Sequence, residues 1–157
     1  MNTVYQSYYK SPLGIIEVIS DTSAIISVKA LPDNAVCTPS KEIPKVLNDC
    51  IKQLDEYFSG KRTNFELPLS QTGTSFQKQV WETLEAIPFG ETISYKTLAE
   101  RCHSPKACRA VGSANGKNQH WIIVPCHRVI TNDGKLGGYA GGLWRKEWLL
   151  EHEKQSK

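Results

Sequence analysis

The stretch "VPCHRVI", Val124 to Ile130, sets a thiol, an imidazole and a guanidinium in consecutive positions at the end of an apolar run. A cysteine attacks as its thiolate, and with an ordinary pKa of about 8.5 only a small fraction is ionised at neutral pH. A histidine that accepts the proton raises that fraction, and a carboxylate can orient the histidine and hold its positive form. Adjacent residues on a regular strand point to opposite faces. Cys126 and His127 therefore meet only if the chain leaves the strand at Pro125, or if a water relays the proton. Asn118 precedes the cysteine closely, and its amide can bond backbone groups of such a turn. Arg128 is expected to pair with an acid or a carbonyl and so hold the segment. On these residues alone the simpler reading, a buried structural cysteine beside a satisfied histidine, outweighs chemistry.

The elements that would position these groups can be read along the chain. Residues 3–30 are rich in aromatic and β-branched residues, with turns at Ser11-Pro12-Leu13-Gly14 and Asp21-Thr22-Ser23, which predicts an antiparallel meander. Residues 44–59 place Val46, Leu47, Cys50, Ile51, Leu54, Tyr57 and Phe58 on one helical face, closed by Gly60. A polar connection follows, and the expected division is 1–69 and 70–157. Thr74 and Gln77 have capping-box spacing. Ser94 can cap a short helix, and Ser104 a second one with Pro105 at its first position. Two short helices joined by a tight turn read as a helix-turn-helix. "WIIVP" reads as an apolar strand or extended segment. Leu143, Trp144, Trp148 and Leu149 open a last helix expected to end near His152.

Charge is distributed unevenly. Residues 1–69 hold seven Lys/Arg against eight Asp/Glu, whereas residues 70–157 hold twelve against eight. No acid lies between Glu100 and Asp133, a span that contains Arg101, Lys106, Arg109, Lys117 and Arg128. An uninterrupted positive stretch suits a polyanion, although taken alone a solvated basic surface is the simpler reading. The second short helix, "SPKACRAVGSANG", consists mostly of small residues. Such a helix suits close approach to a narrow groove read by shape, or tight packing against another helix. Arg109 is the one long cation among them.

Five cysteines without a C-x-x-C pair argue against a disulfide framework or ordinary zinc spacing, and four of them are expected to be packing residues. No apolar run approaches the roughly 20 residues of a membrane span. Met1-Asn2-Thr3 opens no basic-then-apolar leader. The expected location is cytoplasmic, or nuclear in a eukaryote.

The stretch "GTSFQKQVWETLEAIPFGETISYKTLAERCHSPKACRAVGSANGKN", followed by "IIVPCHRVI", "GGYAGG" and "KEWLLEHE", resembles the methylated-DNA–protein-cysteine methyltransferases, or O6-alkylguanine-DNA alkyltransferases. The likeness covers about residues 73–153 and rests on several separate motifs in the family's order. It implies an α/β (α+β) protein: an N-terminal ribonuclease-H-like antiparallel sheet with a helix, then a mainly helical winged helix-turn-helix domain. It implies that Cys126 accepts the alkyl group, that His127 activates it through a water, that Glu153 orients His127, and that Asn118 holds the turn. Tyr95 would aid nucleotide rotation and donate a proton to the guanine. Arg109 would take the place of the flipped base. Lys106, Ala110 and Gly112 would contact DNA with it, and Tyr139, Val124 and Pro125 would line the base pocket.

The implied partner is duplex DNA carrying O6-alkylguanine, and O4-alkylthymine as well, approached from the minor groove by a monomer. Displacement of a methyl group by a thiolate leaves a thioether that resists hydrolysis, so one transfer per molecule and no cofactor are expected. The family's zinc site needs cysteine and histidine near the start of the chain. Residues 1–30 hold neither, so no metal is expected. The chain departs from the family pattern at "NQH", where proline often follows the asparagine, and at Cys108, where alanine is common. Three rival readings stay open on these residues: a non-catalytic sensor of alkylated bases, a winged-helix DNA-binding regulator, and a cysteine hydrolase using Cys, His and Glu.

Overall fold

A computed structural model describes residues 3–156. The leader-free reading of Met1 and Asn2 falls outside that range. The chain forms two compact units that divide between Gln71 and Thr72.

In the first unit, β1 (Tyr5–Ser11), β2 (Gly14–Ser20) and β3 (Ile25–Ala30) form an antiparallel meander in the order β1-β2-β3. Ser11 closes the first hairpin by accepting from the Leu13 N–H and donating to the Gly14 carbonyl. Asp21 closes the second by accepting the backbone N–H groups of Ser23 and Ala24, a side chain imitating a turn. Along β2 burial alternates, with Ile16, Val18 and Ser20 inward. Helix α1 (Lys45–Phe58) covers that face with Leu47, Cys50, Leu54 and Tyr57, all fully buried. The helical spacing expected over 44–59 is thus realised, with Pro44 as the residue before the first turn.

The second unit is mainly helical. Thr74 and Gln77 make the reciprocal capping box at the start of α2 (Ser75–Glu85). Trp81 of α2 is buried and donates its indole N–H to the Ala114 carbonyl across 2.9 Å, which ties α2 to the later basic helix. Ser94 caps α3 (Tyr95–Arg101) by accepting from the Thr97 N–H. Before it, the short strand β4 (Ile93–Ser94) pairs in parallel with β5 (Val129–Ile130). That pairing, not foreseen from the sequence, brings Tyr95 level with the Cys126 segment.

Other expectations are corrected. Ser104 and Pro105 do not open the second helix of the helix-turn-helix. The Ser104 carbonyl accepts from the Ala107 N–H in a separate turn, and α4 spans Cys108–Gly116 without a side-chain cap. The last helix, α5 (Leu143–Ser156), runs past His152. Leu143 and Trp144, expected among the residues that open it, are half exposed, while Lys146, Leu149 and Glu153 face inward. Besides Cys126, only Cys50 and Cys102 are buried; Cys37 and Cys108 are partly open.

Candidate active site

"WIIVP" is a turn rather than a strand. Ile122 sits at φ 76, a left-handed conformation that a β-branched residue rarely adopts. Asn118 enforces it. Its Oδ1 accepts from the His120 N–H at 3.0 Å, and its Nδ2 donates to the Val124 carbonyl at 2.7 Å and the His120 carbonyl at 3.3 Å. A single 3-10 turn, Cys126–Arg128, follows directly. The strand rule that kept Cys126 and His127 apart therefore does not apply.

All three side chains of that turn are buried. His127 is wholly shielded, and its Nε2–H donates to Glu153 Oε2 at 2.7 Å. Arg128 grips the same carboxylate twice, Nε to Oε1 at 2.8 Å and Nη2 to Oε2 at 3.0 Å. Its Nη1 donates to the Ile87 carbonyl at 2.7 Å, and the guanidinium lies over the Phe89 ring. The Gly90 N–H completes the shell of Glu153. A buried carboxylate is tolerable only when paired and fully hydrogen-bonded, and Glu153 is. Burial pushes its pKa up, but the hydrogen bonds and charges of His127 and Arg128 outweigh that and hold it well below the usual carboxylate range.

Because Nε2 carries its proton toward Glu153, His127 presents Nδ1 as an acceptor, and that atom is buried with no hydrogen-bond partner. Burial lowers the imidazole pKa despite Glu153, so the ring is neutral and able to take a proton. Burial pushes the Cys126 thiol the other way, up to about 11, and the Asn118 amide and the Lys146 charge offset this only in part. An unassisted thiol here would be inert at neutral pH. The arrangement supplies a proton acceptor, a carboxylate to hold the resulting imidazolium, and one nearby cation.

That cation, Lys146, was not singled out from the sequence. It is fully buried, and its Nζ donates to the Val129 carbonyl at 2.6 Å and the Gly138 carbonyl at 3.1 Å. Burial lowers its pKa to about 8, with the Cys126 thiolate pulling it back up. The available signal was spacing: Lys146, Leu149 and Glu153 fall on one helical face.

Cys126 forms part of the wall of a cavity of about 180 Å³, together with Tyr95, Asn115, Asn118, Trp121 and Tyr139. The Tyr139 ring packs against Trp121 at a centroid distance of 5.7 Å, and its hydroxyl is shielded and unpartnered. Tyr95 is pinned between two glycines. A Cβ on Gly112 would stand 3.8 Å from its ring, and one on Gly137 would stand 3.3 Å away. Gly112 also lines the cavity, and a Cβ there would make ordinary van der Waals contact with the Tyr95 ring. Val124 and Pro125, expected in the pocket wall, do not line it. Both are buried, and Val124 instead gives its carbonyl to Asn118. On α4 Arg109 and Ala110 are exposed, and Lys106 is exposed in the turn before it. Among the described residues, no group of three or more His, Cys, Asp or Glu side chains could hold a metal ion, and no helix is long and apolar enough to cross a membrane.

Comparison with known proteins gives these features a common frame. Residues 75–155 match the family described as 6-O-methylguanine DNA methyltransferase, DNA binding domain, and residues 4–71 match its ribonuclease-like domain. The constitutive methylated-DNA–protein-cysteine methyltransferase of Bacillus subtilis is 52% identical over 120 residues, covering 76% of this chain and 72% of the relative. The crystal structure of Mycobacterium tuberculosis O6-methylguanine methyltransferase superposes with a TM-score of 0.88 at 41% identity, covering 99% of this chain and 95% of that one. That of Mycobacterium tuberculosis OGT in complex with DNA gives 0.86 at 42% identity, covering 95% and 92%. The chain belongs to the methylated-DNA–protein-cysteine methyltransferase family.

Proposed function

We propose that this protein repairs alkylated DNA by moving the alkyl group of O6-alkylguanine, and of O4-alkylthymine, onto Cys126 in a single irreversible transfer. The observation that carries the reading is a thiol in the cavity wall followed in sequence by a buried imidazole whose Nδ1 has no partner. His127 Nδ1 is an unpaired buried base whose ring is locked on Glu153 at 2.7 Å. The thiol proton passes to Nδ1, directly or through a water, and Glu153 stabilises the imidazolium. Lys146 adds positive charge beside the sulfur. The thiolate then attacks the alkyl carbon in line; the C–S bond forms as the C–O bond breaks, and the electron pair leaves on the guanine oxygen. The Tyr95 phenol, in the same cavity, supplies a proton to the leaving base.

A base within a duplex cannot reach a cavity of this kind, so the nucleotide must be extruded at a cost of a few kcal/mol. The small-residue helix α4 allows close approach to the minor groove, and exposed Arg109 fills the gap in the base stack. Lys106 and Ala110 lie beside it on the same approach. The thioether product has no ready leaving group, so the protein works once and needs no cofactor, and it is expected to act as a monomer.

Incubation with an excess of duplex carrying labelled O6-methylguanine tests this. Label should move to the protein up to one equivalent and then stop, and Cys126→Ala should bind without transfer. Tight binding with the label left on the DNA would mean sensing rather than repair, and multiple turnovers would favour a hydrolase.

A further inference from the structure

Asn115 was not among the residues singled out from the sequence. It lies on α4, is only 5% exposed, and lines the cavity with Cys126 and Tyr95. Its Nδ2 donates to the Cys126 carbonyl at 3.4 Å. A carbonyl can only accept, so this bond fixes which end of the amide points where. The other end, Oδ1, is shielded from solvent and has no hydrogen-bond partner. A buried amide oxygen left unpaired costs about 1–3 kcal/mol. Such an atom calls for an explanation, and on a cavity wall the natural one is a ligand donor.

The chemistry of the alkylated bases narrows the donor to one group. Alkylation at O6 removes the N1 proton of guanine, which leaves N1, N3, N7 and O6 as acceptors. The exocyclic amino group is then the only N–H donor on the base. O4-alkylthymine has no N–H donor at all. An unpartnered acceptor in the pocket therefore separates the two. The buried Tyr139 hydroxyl is a matching unpartnered donor, suited to one of the purine's acceptors.

We propose that Asn115 is a specificity residue: its side-chain oxygen accepts a hydrogen bond from the exocyclic amino group of the extruded base, so that the cavity favours O6-alkylguanine over alkylated bases lacking that group. This rests on the transfer reaction proposed above. The competing role for Asn115 is to orient the Tyr95 phenol, whose titration its amide influences. A residue that only orients Tyr95 affects all substrates alike.

The test compares transfer rates to Cys126 from otherwise identical duplexes carrying O6-methylguanine or O6-methylhypoxanthine, which differ only in the amino group. The native protein should prefer the former by about tenfold or more, because a site built around a hydrogen bond rejects the analogue that lacks it. In Asn115→Leu, similar in size but without the acceptor, the preference should shrink to about twofold or less, with the loss falling on O6-methylguanine. Asn115→Ala, which adds no bulk, is the second variant and should give the same collapse. A native ratio near one, or a native-like ratio retained in the variant that folds, would overturn the assignment. Failure of the native protein to take any methyl group from O6-methylguanine would instead sink the transfer reaction itself.

Discussion

The Nε2–H of His127 donates to Glu153 Oε2 across 2.7 Å, with neither side chain open to solvent, and Arg128 from the same 3-10 turn holds both oxygens of that carboxylate. One carboxylate from α5 thus fixes two consecutive side chains of the segment that carries Cys126. It sets the tautomer of His127, and with it the free Nδ1. Chemistry and local stability therefore depend on the same group.

Glu153→Gln should separate these roles. The amide preserves volume but presents an N–H where Arg128 or His127 needs an acceptor. Losing an oriented base costs roughly 10²–10⁴-fold in rate. The transfer rate from methylated duplex should fall within that range, while DNA binding changes little. Removing one partner of a buried pair costs about 3–5 kcal/mol, so thermal unfolding should also shift downward. A variant that transfers at the native rate would remove Glu153 from the mechanism.

Acid should destabilise the protein in two stages. Burial holds His127 below its ordinary value despite Glu153. The unfolded chain then takes up a proton first, and stability starts to fall as pH drops below about 6.5. Glu153 is depressed by His127 and Arg128 against the effect of burial. Its contribution is complete above the unfolded value of about 4.3 and drains away below it. Melting temperature measured against pH should show both limbs, and Glu153→Gln should flatten the lower one. A melting temperature unchanged down to pH 4 would contradict this.

Asn118→Ala should unfold the active-site turn. It takes the Asn118 Oδ1 acceptor from the buried His120 N–H and leaves the Val124 carbonyl with only the Cys126 N–H. A buried donor left unsatisfied costs about 1–3 kcal/mol and each further lost hydrogen bond about 0.5–1.5 kcal/mol, and Ile122 loses what holds it at positive φ. Denaturant unfolding should report a loss of about 2–5 kcal/mol. A loss under about 1 kcal/mol would show that the turn holds itself.

Much of this site was legible in the sequence, and the exceptions have physical causes. The capping box at Thr74 and Gln77 and the Ser94 cap were readable because capping is local chemistry. The run Trp121–Val124 carries a strand's composition. Its conformation is set by Asn118, whose amide supplies the bonds a neighbouring strand would have given. Propensity cannot register such a substitution. On α5 the reading rested on Leu143, Trp144, Trp148 and Leu149, yet beside Leu149 the inward face carries a lysine and a glutamate. Hydrophobic patterning hides buried polar residues, so Lys146 was passed over. Asn115 was hidden differently, as one polar residue in a helix read for its small neighbours.

Arg109→Ala should distinguish extrusion from chemistry. Arg109 is exposed on α4 and outside the cavity wall. Stack filling offsets part of a cost of a few kcal/mol, so transfer from duplex should slow by about tenfold or more. Reaction with free O6-benzylguanine, which needs no extrusion, should stay within about twofold of native. Equal losses on both substrates would remove Arg109 from nucleotide rotation.

The most direct measurement is the intact mass of the protein before and after exposure to duplex containing O6-methylguanine, followed by peptide mapping. The protein should gain the mass of one methylene, located on the peptide carrying Cys126, as an equal amount of lesion reverts to guanine; Cys126→Ala should gain nothing. An unaltered mass with the lesion intact, or the methyl group found on another residue, would contradict a transfer centred on this thiol.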